Sequence, residues 1–112
     1  MPGAKSEVMY GTLDLIVLKT LDTLGPLHGF GMAERIRQVS RDLLQVNQGT
    51  LYASLARLEQ SGCISSRWGD TENHRKARYY SITKAGRRRL AKDAEEWGRM
   101  AEFIGRVIQG AF

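Results

Sequence analysis

Small, polar and cationic side chains share one face of a predicted helix between residues 48 and 57. Gln48 and Thr50 lie near its start, Arg57 lies near its end, and Ala53 and Ser54 lie between them. Amide and hydroxyl groups near a helix N-terminus can donate hydrogen bonds to phosphates or base edges, and an arginine can reach guanine or the phosphate backbone. These residue types at this spacing therefore indicate binding to nucleic acid.

The residue types needed for catalysis or metal binding do not come together elsewhere in the sequence. The chain has two histidines, His28 and His74, and a single cysteine, Cys63. We find no metal-binding spacing, no nucleophile with an identifiable base and no glycine-rich loop for phosphate, so we expect no enzyme activity, metal or cofactor. His28 is interpreted as a turn or capping residue. Cys63 is interpreted as a small buried side chain, with a redox sensor as the alternative.

Positive charge is concentrated in the middle of the chain, which has 112 residues and a formal net charge of +5. Residues 41–92 carry eleven basic and four acidic side chains, whereas residues 1–40 carry four of each and residues 93–112 carry two and four. Such a cluster favours an anionic partner, and its overlap with the polar helix favours nucleic acid over a membrane surface.

Neither a signal peptide nor a membrane span is predicted. The most apolar segment, residues 13–24, is short and is interrupted by charged residues, among them Asp14 and Lys19. Such a segment cannot cross a bilayer, and a single cysteine cannot form an intramolecular disulfide. We therefore expect a cytoplasmic protein with no membrane partner.

The first helix is predicted to begin at Thr12, with Asp14 well placed for the helix dipole, and to end before Pro26. Residues 1–11 are expected to form a flexible arm. The predicted buried stripe of this helix is Leu13, Ile16, Val17, Leu21 and Leu24. Leu15 and Leu18 extend the apolar surface beyond one small core, which suggests a helix buried on two sides.

A helix-turn-helix is predicted next. The second helix, residues 29–40, should turn four side chains inward: Phe30, Ala33, Ile36 and Val39. The third, here called the recognition helix, has three leucines at helical spacing for the core: Leu51, Leu55 and Leu58. Asn47 can cap its first turn, and Gly62 can supply a left-handed stop.

Two β-like runs, residues 64–68 and 77–82, follow the recognition helix. Apolar and polar side chains alternate in them, which predicts a buried face made of Ile64, Trp68, Tyr80 and Ile82. The connecting segment, residues 69–76, is too long for a two-residue turn and should form a wing-like loop. A helix followed by a basic hairpin is typical of a winged helix.

A long final helix is predicted from a cap at Thr83 to about residue 109. Its apolar side chains are spaced as in a coiled-coil seam: Leu90, Ala94, Trp97, Ala101, Ile104 and Ile108. Met100, Phe103 and Val107 form a second stripe beside it. So small a chain has little else to cover this helix, which predicts a homodimer. The alternative is a core helix of a monomer.

Four sequence motifs follow one another between residues 12 and 90. They are Thr12-Leu13-Asp14-Leu15, then His28-Gly29-Phe30-Gly31, then Gly49-Thr50-Leu51-Tyr52 with Leu55, Leu58, Glu59 and Gly62, and finally Arg78-Tyr79-Tyr80-Ser81-Ile82-Thr83 with Gly86. In these motifs the chain resembles the PadR family of bacterial transcriptional regulators. The resemblance implies a homodimeric winged-helix protein that binds double-stranded DNA, usually as a repressor, and dimerises through its C-terminal helix. The single helix after the wing is similar to the short-tailed subgroup.

Carried over by position, the resemblance implies eight DNA-facing residues. They are Gln48, Thr50, Tyr52, Ala53 and Arg57 on the recognition helix, and Arg75, Lys76 and Arg78 in the wing. Many family members have proline where this chain has Ala53, and a purely structural role is the alternative for Tyr52. Members often bind small planar or phenolic effectors near the dimer interface, so the candidate effector pocket is Trp97, Met100 and Phe103, with plain interface core as the alternative.

The predicted fold is mainly α with a small β-hairpin (α+β). Residues 1–11 are the arm, residues 12–83 a winged helix-turn-helix domain, and residues 84–112 a dimerisation helix. The predicted function is a sequence-specific DNA-binding transcriptional regulator, a repressor on a pseudo-palindromic operator that a small aromatic effector relieves. Two alternatives stay open, a winged-helix module for protein–protein contact and a ligand-binding dimer with a secondary DNA role.

Overall fold

The chain folds into four helices and a small antiparallel sheet. The computed structural model describes the backbone of residues 2–112 and the side chains of residues 11–112. In order, the elements are α1 (Pro2–Leu24), β1 (Leu27–His28), α2 (Gly29–Val39), α3 (Gln48–Gln60), β2 (Ile64–Asp70), β3 (Lys76–Ile82) and α4 (Lys84–Ile108). The α+β class and the long last helix are confirmed. The recognition helix is α3.

The hairpin after α3 is longer than predicted and gains a third strand. β2 and β3 pair antiparallel along their whole length, which leaves residues 71–75 as the loop. β1 pairs with the other edge of β3, with Leu27 opposite Tyr80, so the sheet order is β1-β3-β2. A strand of two residues is too short to show an alternation of apolar and polar side chains, so the sequence pattern could not predict β1.

Apolar side chains from all four helices and the hairpin form one core. Its buried members are Leu13, Val17, Leu18 and Leu21 of α1, Met32 and Ile36 of α2, Leu51, Leu55 and Leu58 of α3, Cys63, Ile64 and Tyr80 of the hairpin, and Leu90 of α4. Fully burying a leucine contributes about 1.5–3 kcal/mol relative to leaving it exposed. The predicted core stripe of α3 is thus confirmed, and Cys63 is buried as expected.

Three helices are capped by the side chain that precedes them. In each case the cap accepts a hydrogen bond from the backbone N–H three residues later, at 3.1 Å for His28, 2.8 Å for Asn47 and 3.0 Å for Thr83. Each bond satisfies an amide that the helix itself leaves without a partner. The predicted capping roles of all three residues are confirmed.

Gly86 allows α4 to begin directly against the start of β2. A Cβ atom at position 86 would overlap the carbonyl oxygen of Cys63. The same carbonyl accepts a hydrogen bond from the amide of Thr83 at 3.0 Å. Glycine is therefore required here by a close approach of two backbone segments, and this approach docks α4 on the hairpin.

The first helix differs from its prediction. α1 begins at Pro2, so Thr12 lies inside the helix and does not cap it. Proline suits the first turn of a helix, because its missing N–H would have no partner there. Met1 and the side chains of residues 2–10 lie outside the described residues, so the flexibility of the predicted arm, residues 1–11, stays a prediction.

Several predicted core positions face solvent instead. Phe30, Val39 and Trp68 are all more than 60% exposed, and Leu24 is about half exposed. In α2 the buried face runs through Gly29, Met32 and Ile36, whereas the sequence suggested a stripe that begins at Phe30. Both sets have helical spacing, so spacing alone could not choose between them. At Trp68, β2 has already extended beyond the core.

Candidate nucleic-acid interface

α3 turns its leucines to the core and a small polar surface to solvent. Gln48 and Ala53 are exposed, and Thr50 is half-buried beside them. The start of α3 therefore presents the polar side chains of Gln48 and Thr50 at the surface. None of the three residues Gln48, Thr50 and Ala53 has a bulky aromatic or branched apolar side chain. A surface of this kind lets a large ligand approach the helix closely.

Tyr52 packs across the start of α2. A Cβ atom at Gly29 would lie 2.5 Å from the hydroxyl oxygen of Tyr52, so only glycine lets the ring lie so close. The residue still exposes 46% of its surface. The contact supports the structural interpretation of Tyr52, and its exposed edge remains part of the outer surface of α3.

Arg57 forms an ion pair inside the protein. Its Nη2 atom lies 2.8 Å from Oδ1 of Asp14 in α1. The hydroxyl of Ser54, one turn earlier in α3, donates a hydrogen bond to the same oxygen. The side chain of Asp14 is only 8% exposed, against 40% for Arg57. The guanidinium group that was predicted to read bases is thus turned towards α1.

Asp14 also faces α4. The Nη2 atom of Arg89 lies 3.6 Å from Oδ2 of Asp14, and its Nε atom lies 3.2 Å from a carboxylate oxygen of Asp93. Burial by itself lowers the pKa of Arg89, but interactions with Cys63 and Asp93 raise the pKa overall. We call this set the Asp14 cluster: Asp14, Ser54, Arg57 and Arg89.

The Asp14 cluster could not be found from sequence periodicity, which placed Asp14 only near the helix dipole. One signal was present. An aspartate lies within the apolar stripe of α1. Ser54, which the sequence predicts on the outer polar face of α3, is instead fully buried, because it follows Leu51 by three residues and shares its side of the helix. Polar groups on a buried face need hydrogen-bonding partners, so two such positions are candidates for contact with each other.

The predicted wing cations lie on and beside the hairpin loop. Across the hairpin, Nζ of Lys76 lies 3.0 Å from a carboxylate oxygen of Asp70. The guanidinium of Arg78 lies 5.1 Å from the ring centroid of Trp68, its partner on the neighbouring strand. Cation–π contacts of this kind hold the exposed arginine over the ring.

Arg67 and Arg75 are the other two cations of the hairpin, and both are exposed. No ion pair within the described part of the chain involves either of them. The backbone amide of Arg75 donates to the hydroxyl of Thr71 at 3.3 Å, which helps close the loop. Arg67 and Arg75 therefore present positive charge on the hairpin without an ion pair among the described residues.

Tyrosines anchor the wing to the rest of the domain. Tyr80 packs in the core, and this burial raises the pKa of its hydroxyl above the ordinary value. The hydroxyl of Tyr79 donates to the carbonyl oxygen of Asp70 at 2.9 Å. The His28 ring meets the Tyr79 ring edge-on at 5.4 Å, which connects the wing to the start of α2.

An open groove of about 1070 Å³ separates the wing from the starts of α2 and α3; we call it the wing groove. It brings Tyr52 together with the three predicted wing cations, Arg75, Lys76 and Arg78. Gln48, Thr50 and Ala53 do not line this groove. Phe30 and Trp68, expected in the core, instead line it with exposed aromatic rings.

Most of the predicted dimerisation residues are uncovered. Leu90 is 8% exposed and belongs to the core of its own chain, so the predicted seam begins one step later. Ala94 is exposed and Ala101 partly buried. The large apolar side chains beyond are 47–79% exposed: Trp97, Met100, Phe103, Ile104 and Ile108. We call the surface formed by Ala94, Trp97, Ala101, Ile104 and Ile108 the α4 strip.

A second groove, of about 590 Å³, lies between α1, the end of α2 and α4; we call it the α1–α4 groove. Its apolar walls include Leu15, Ile16, Leu24, Val39, Leu90 and Trp97. Lys19 and Arg35 also line it. Of the candidate effector residues, Trp97 therefore borders this groove, whereas Met100 and Phe103 do not line it.

The described residues contain neither a helix that could cross a membrane nor a cluster that could hold a metal ion. None of the helices there combines the length and the apolar character needed to cross a membrane. Nor does any group of three or more histidine, cysteine, aspartate or glutamate residues in that part of the chain have the geometry to hold a metal ion.

Comparison with known proteins finds relatives over nearly the whole length of the chain. The sequence pattern of the family described as "Transcriptional regulator PadR-like family" matches residues 17–92, more than half of the chain. An uncharacterised protein X of Lysinibacillus sphaericus is 29% identical over 106 residues, which cover 95% of this chain and 96% of that protein.

Solved structures share the same architecture. A transcriptional regulator from Clostridium thermocellum is 32% identical, with a TM-score of 0.80, and the match covers 89% of this chain and 93% of that one. A PadR family transcriptional regulator from Eggerthella lenta is 24% identical, with a TM-score of 0.79, over 97% and 92% of the two chains. The second likeness concerns the fold alone.

Proposed function

Because this chain belongs to the PadR-like family of transcriptional regulators, we propose that it is a sequence-specific DNA-binding repressor, cytoplasmic and homodimeric, that occupies a pseudo-palindromic operator. The observation that carries the proposal is the small polar face of α3, together with a cationic wing that shares a groove with Tyr52 of the same helix. A helix with such a face fits the major groove of duplex DNA, while a basic hairpin beside it can follow the phosphate backbone.

The first turns of α3 read the DNA in this proposal. Gln48 and Thr50 donate hydrogen bonds to phosphates or base edges, and the exposed amides at the helix N-terminus favour a phosphate. Ala53 carries only a methyl group, so the helix can approach closely and contact the methyl group of a thymine. Tyr52 holds α3 against α2 and turns its exposed edge to the DNA backbone.

The wing supplies contacts that do not depend on sequence. In this proposal, Arg75, Lys76 and Arg78 contact the phosphates that border the groove entered by α3. Their charge attracts any duplex, and each neutralised phosphate releases condensed counterions. Sequence preference then comes from α3, and a large share of the affinity comes from the wing.

Dimerisation through the α4 strip links two recognition helices. An exposed apolar surface of this length is unfavourable in water, at about 25 cal/mol for each square ångström left uncovered. A second copy of the same strip covers it in a symmetric dimer. Two linked α3 helices can then occupy half-sites about one turn of DNA apart. The monomeric alternative lacks support, since the described residues leave this half of α4 uncovered.

A small aromatic effector is proposed to act at the same interface. Trp97 belongs to the α4 strip and also borders the α1–α4 groove, while Met100 and Phe103 lie farther along α4. The groove volume of about 590 Å³ is of the size that takes a drug-sized ligand. A compound bound beside Trp97 changes how the two subunits meet, and thereby the spacing of their recognition helices.

Binding to a selected duplex tests the proposed function. A duplex enriched from a random library by the protein, and a scrambled duplex of equal composition, are titrated at several salt concentrations. We expect at least ~10³-fold tighter binding of the selected duplex. Its affinity should fall by ~10³–10⁵ between about 50 and 200 mM salt if a dimer makes about 6–10 phosphate contacts. Equal binding of both duplexes, or a flat salt response, would contradict the proposal and favour a protein–protein interaction module.

The effector proposal has its own measurement. The Trp68→Phe variant leaves Trp97 as the sole tryptophan, because the chain contains two. Planar aromatic compounds bound beside Trp97 should change its fluorescence and weaken binding to the selected duplex. A fluorescence change with unaltered DNA affinity would instead favour a ligand-binding dimer in which DNA has a secondary role.

A further inference from the structure

The Asp14 cluster joins three helices through one buried carboxylate. Within the described residues, Asp14 and Ser54 are the two polar side chains buried in the core. Oδ1 of Asp14 accepts hydrogen bonds from both Ser54 and Arg57 of α3, and Oδ2 faces Arg89 of α4. In addition to the leucine contacts of the core, α3 is therefore linked to α1 and α4 through a single charged group.

The two bonds to α3 restrict its rotation. Ser54 and Arg57 lie three residues apart on one face of the helix and share one acceptor oxygen. Turning α3 about its axis, or sliding it along α1, would break both bonds and leave a buried carboxylate with fewer partners, which is strongly unfavourable. Hydrogen bonds to base edges are directional, so base readout needs a recognition helix that is held in this way.

The same carboxylate lies beside the α1–α4 groove. Leu15 and Ile16 directly follow Asp14 in α1, Leu90 directly follows Arg89 in α4, and all three apolar residues line the groove. The contact between Asp14 and Arg89, at 3.6 Å, is the longest in the Asp14 cluster. A change in the spacing of α1 and α4 would therefore alter the contact between Asp14 and Arg89, and Asp14 also bonds to α3.

We propose that Asp14 is the positioning residue of the recognition helix and that it couples α3 to the packing of α1 against α4. The inference rests on the proposed DNA-binding function. Asp14 holds Ser54 and Arg57 so that α3 presents its outer face in one orientation, and it keeps the Arg57 guanidinium away from DNA phosphates. Arg57 thus serves sequence discrimination through Asp14, without touching DNA.

Two substitutions on α1 form a matched pair. Asp22 pairs with Arg87 of α4 at 3.2 Å, so Asp14→Asn and Asp22→Asn each remove one negative charge and one ion pair between α1 and α4. Of these two aspartates, Asp14 also bonds to Arg57 and Ser54 of α3, whereas the ion pair of Asp22 is with α4. The probes are the selected duplex and its scrambled counterpart. We expect Asp22→Asn to keep the wild-type ratio of the two affinities, and Asp14→Asn to lower that ratio roughly tenfold or more, with undiminished binding of the scrambled duplex.

Arg57→Gln tests the same idea without removing the buried acid. Asp14 keeps Ser54 and Arg89 as partners in this variant, so it provides a second route if Asp14→Asn does not fold. We expect the affinity ratio to fall as it does for Asp14→Asn, with the salt dependence unchanged. A salt slope lower by about one for each subunit would mean that Arg57 contacts a phosphate, and would overturn the inference.

The double variant Asp14→Asn with Arg57→Gln tests whether the two residues act as one unit. Its loss of discrimination should be no larger than that of the more affected single variant, whereas independent roles would give additive losses. Circular dichroism and sedimentation establish that each variant is a folded dimer. A folded Asp14→Asn dimer with the wild-type ratio rejects the positioning role. This outcome is distinct from failure of the proposed function, in which the wild-type protein itself would not distinguish the two duplexes.

Discussion

α3 and the second half of α4 carry apolar side chains at similar helical spacing. The rest of the chain buries the apolar side chains of α3 but leaves those of α4 exposed. Leu51, Leu55 and Leu58 of α3 are at most 1% exposed, whereas five large apolar residues of α4 beyond Leu90 are 47–79% exposed. α3 packs against α1, α2 and β2, but α4 extends past its neighbours after its first turns. Spacing therefore identifies an apolar face and leaves its partner open.

The cations of the wing and of the second half of α4 also differ. On α4, Arg99 and Arg106 pair with glutamates one turn earlier, at 2.7 and 2.9 Å. On the wing, Arg75 has no carboxylate partner within the described residues. A cation already paired with a carboxylate attracts phosphate less. The comparison favours a DNA-facing wing and a subunit-facing α4, and each difference can be tested by matched substitutions.

The largest effect is expected from Ile104→Glu in the α4 strip. A symmetric interface would bury two added charges near the two-fold axis, at a cost on the order of several kcal/mol. The dimer should dissociate, and affinity for the selected duplex should fall although no DNA-facing residue has changed. Gln109→Glu, which adds the same charge to an exposed position at the end of α4, is the control. Sedimentation of an unchanged Ile104→Glu dimer would move the interface elsewhere.

Leu55→Ala addresses the covered stripe. It removes a fully buried side chain of α3 and should lower the free energy of unfolding by about 2–5 kcal/mol. Ile108→Ala, on the exposed stripe, should change the stability of the separate chain by no more than about 0.5 kcal/mol. Denaturant unfolding in the Ile104→Glu background measures both without a dimer contribution. Equal losses would mean that the chain covers both stripes itself.

Arg75→Ala compares an unpaired wing cation with a paired one. Loss of a phosphate contact should weaken binding to the selected and the scrambled duplex alike and lower the salt slope by about one per subunit. Arg99→Ala removes the same charge from α4 and should leave the slope as it is. Salt titrations of the two variants side by side decide the matter, and indistinguishable slopes would remove the wing from the proposed DNA face.

The smallest effects are expected from substitutions of the two helix caps, Asn47 and Thr83. Asn47→Ala and Thr83→Ala should each cost about 1 kcal/mol of stability, because each leaves a helix amide without its acceptor. Their effects on DNA should differ. Fraying at Asn47 disturbs the first turn of α3, where Gln48 and Thr50 lie, whereas fraying at Thr83 does not. If both variants bind the selected duplex equally well, the first turn of α3 does not read DNA.

Local signals in the sequence predicted much of the fold. The caps at Asn47 and Thr83 come from residue types that accept a helix amide, and the buried leucines of α3 come from a spacing that brings side chains to one face. Such signals depend on neighbours within a few residues. The order of the elements, the core face of α3 and the apolar length of α4 therefore follow from the sequence by itself.

Contacts between distant residues decided the rest. Met32 is buried and Phe30 is exposed because tertiary packing buries one of two faces of α2 that both carry apolar residues at helical spacing. β1 exists because β3 offers it an edge. Ser54 and Asp14 are 40 residues apart, so their bond, and with it the inward direction of Arg57, arises only when α1 and α3 pack together. A periodic pattern records which side chains share a face, and tertiary packing decides what that face meets.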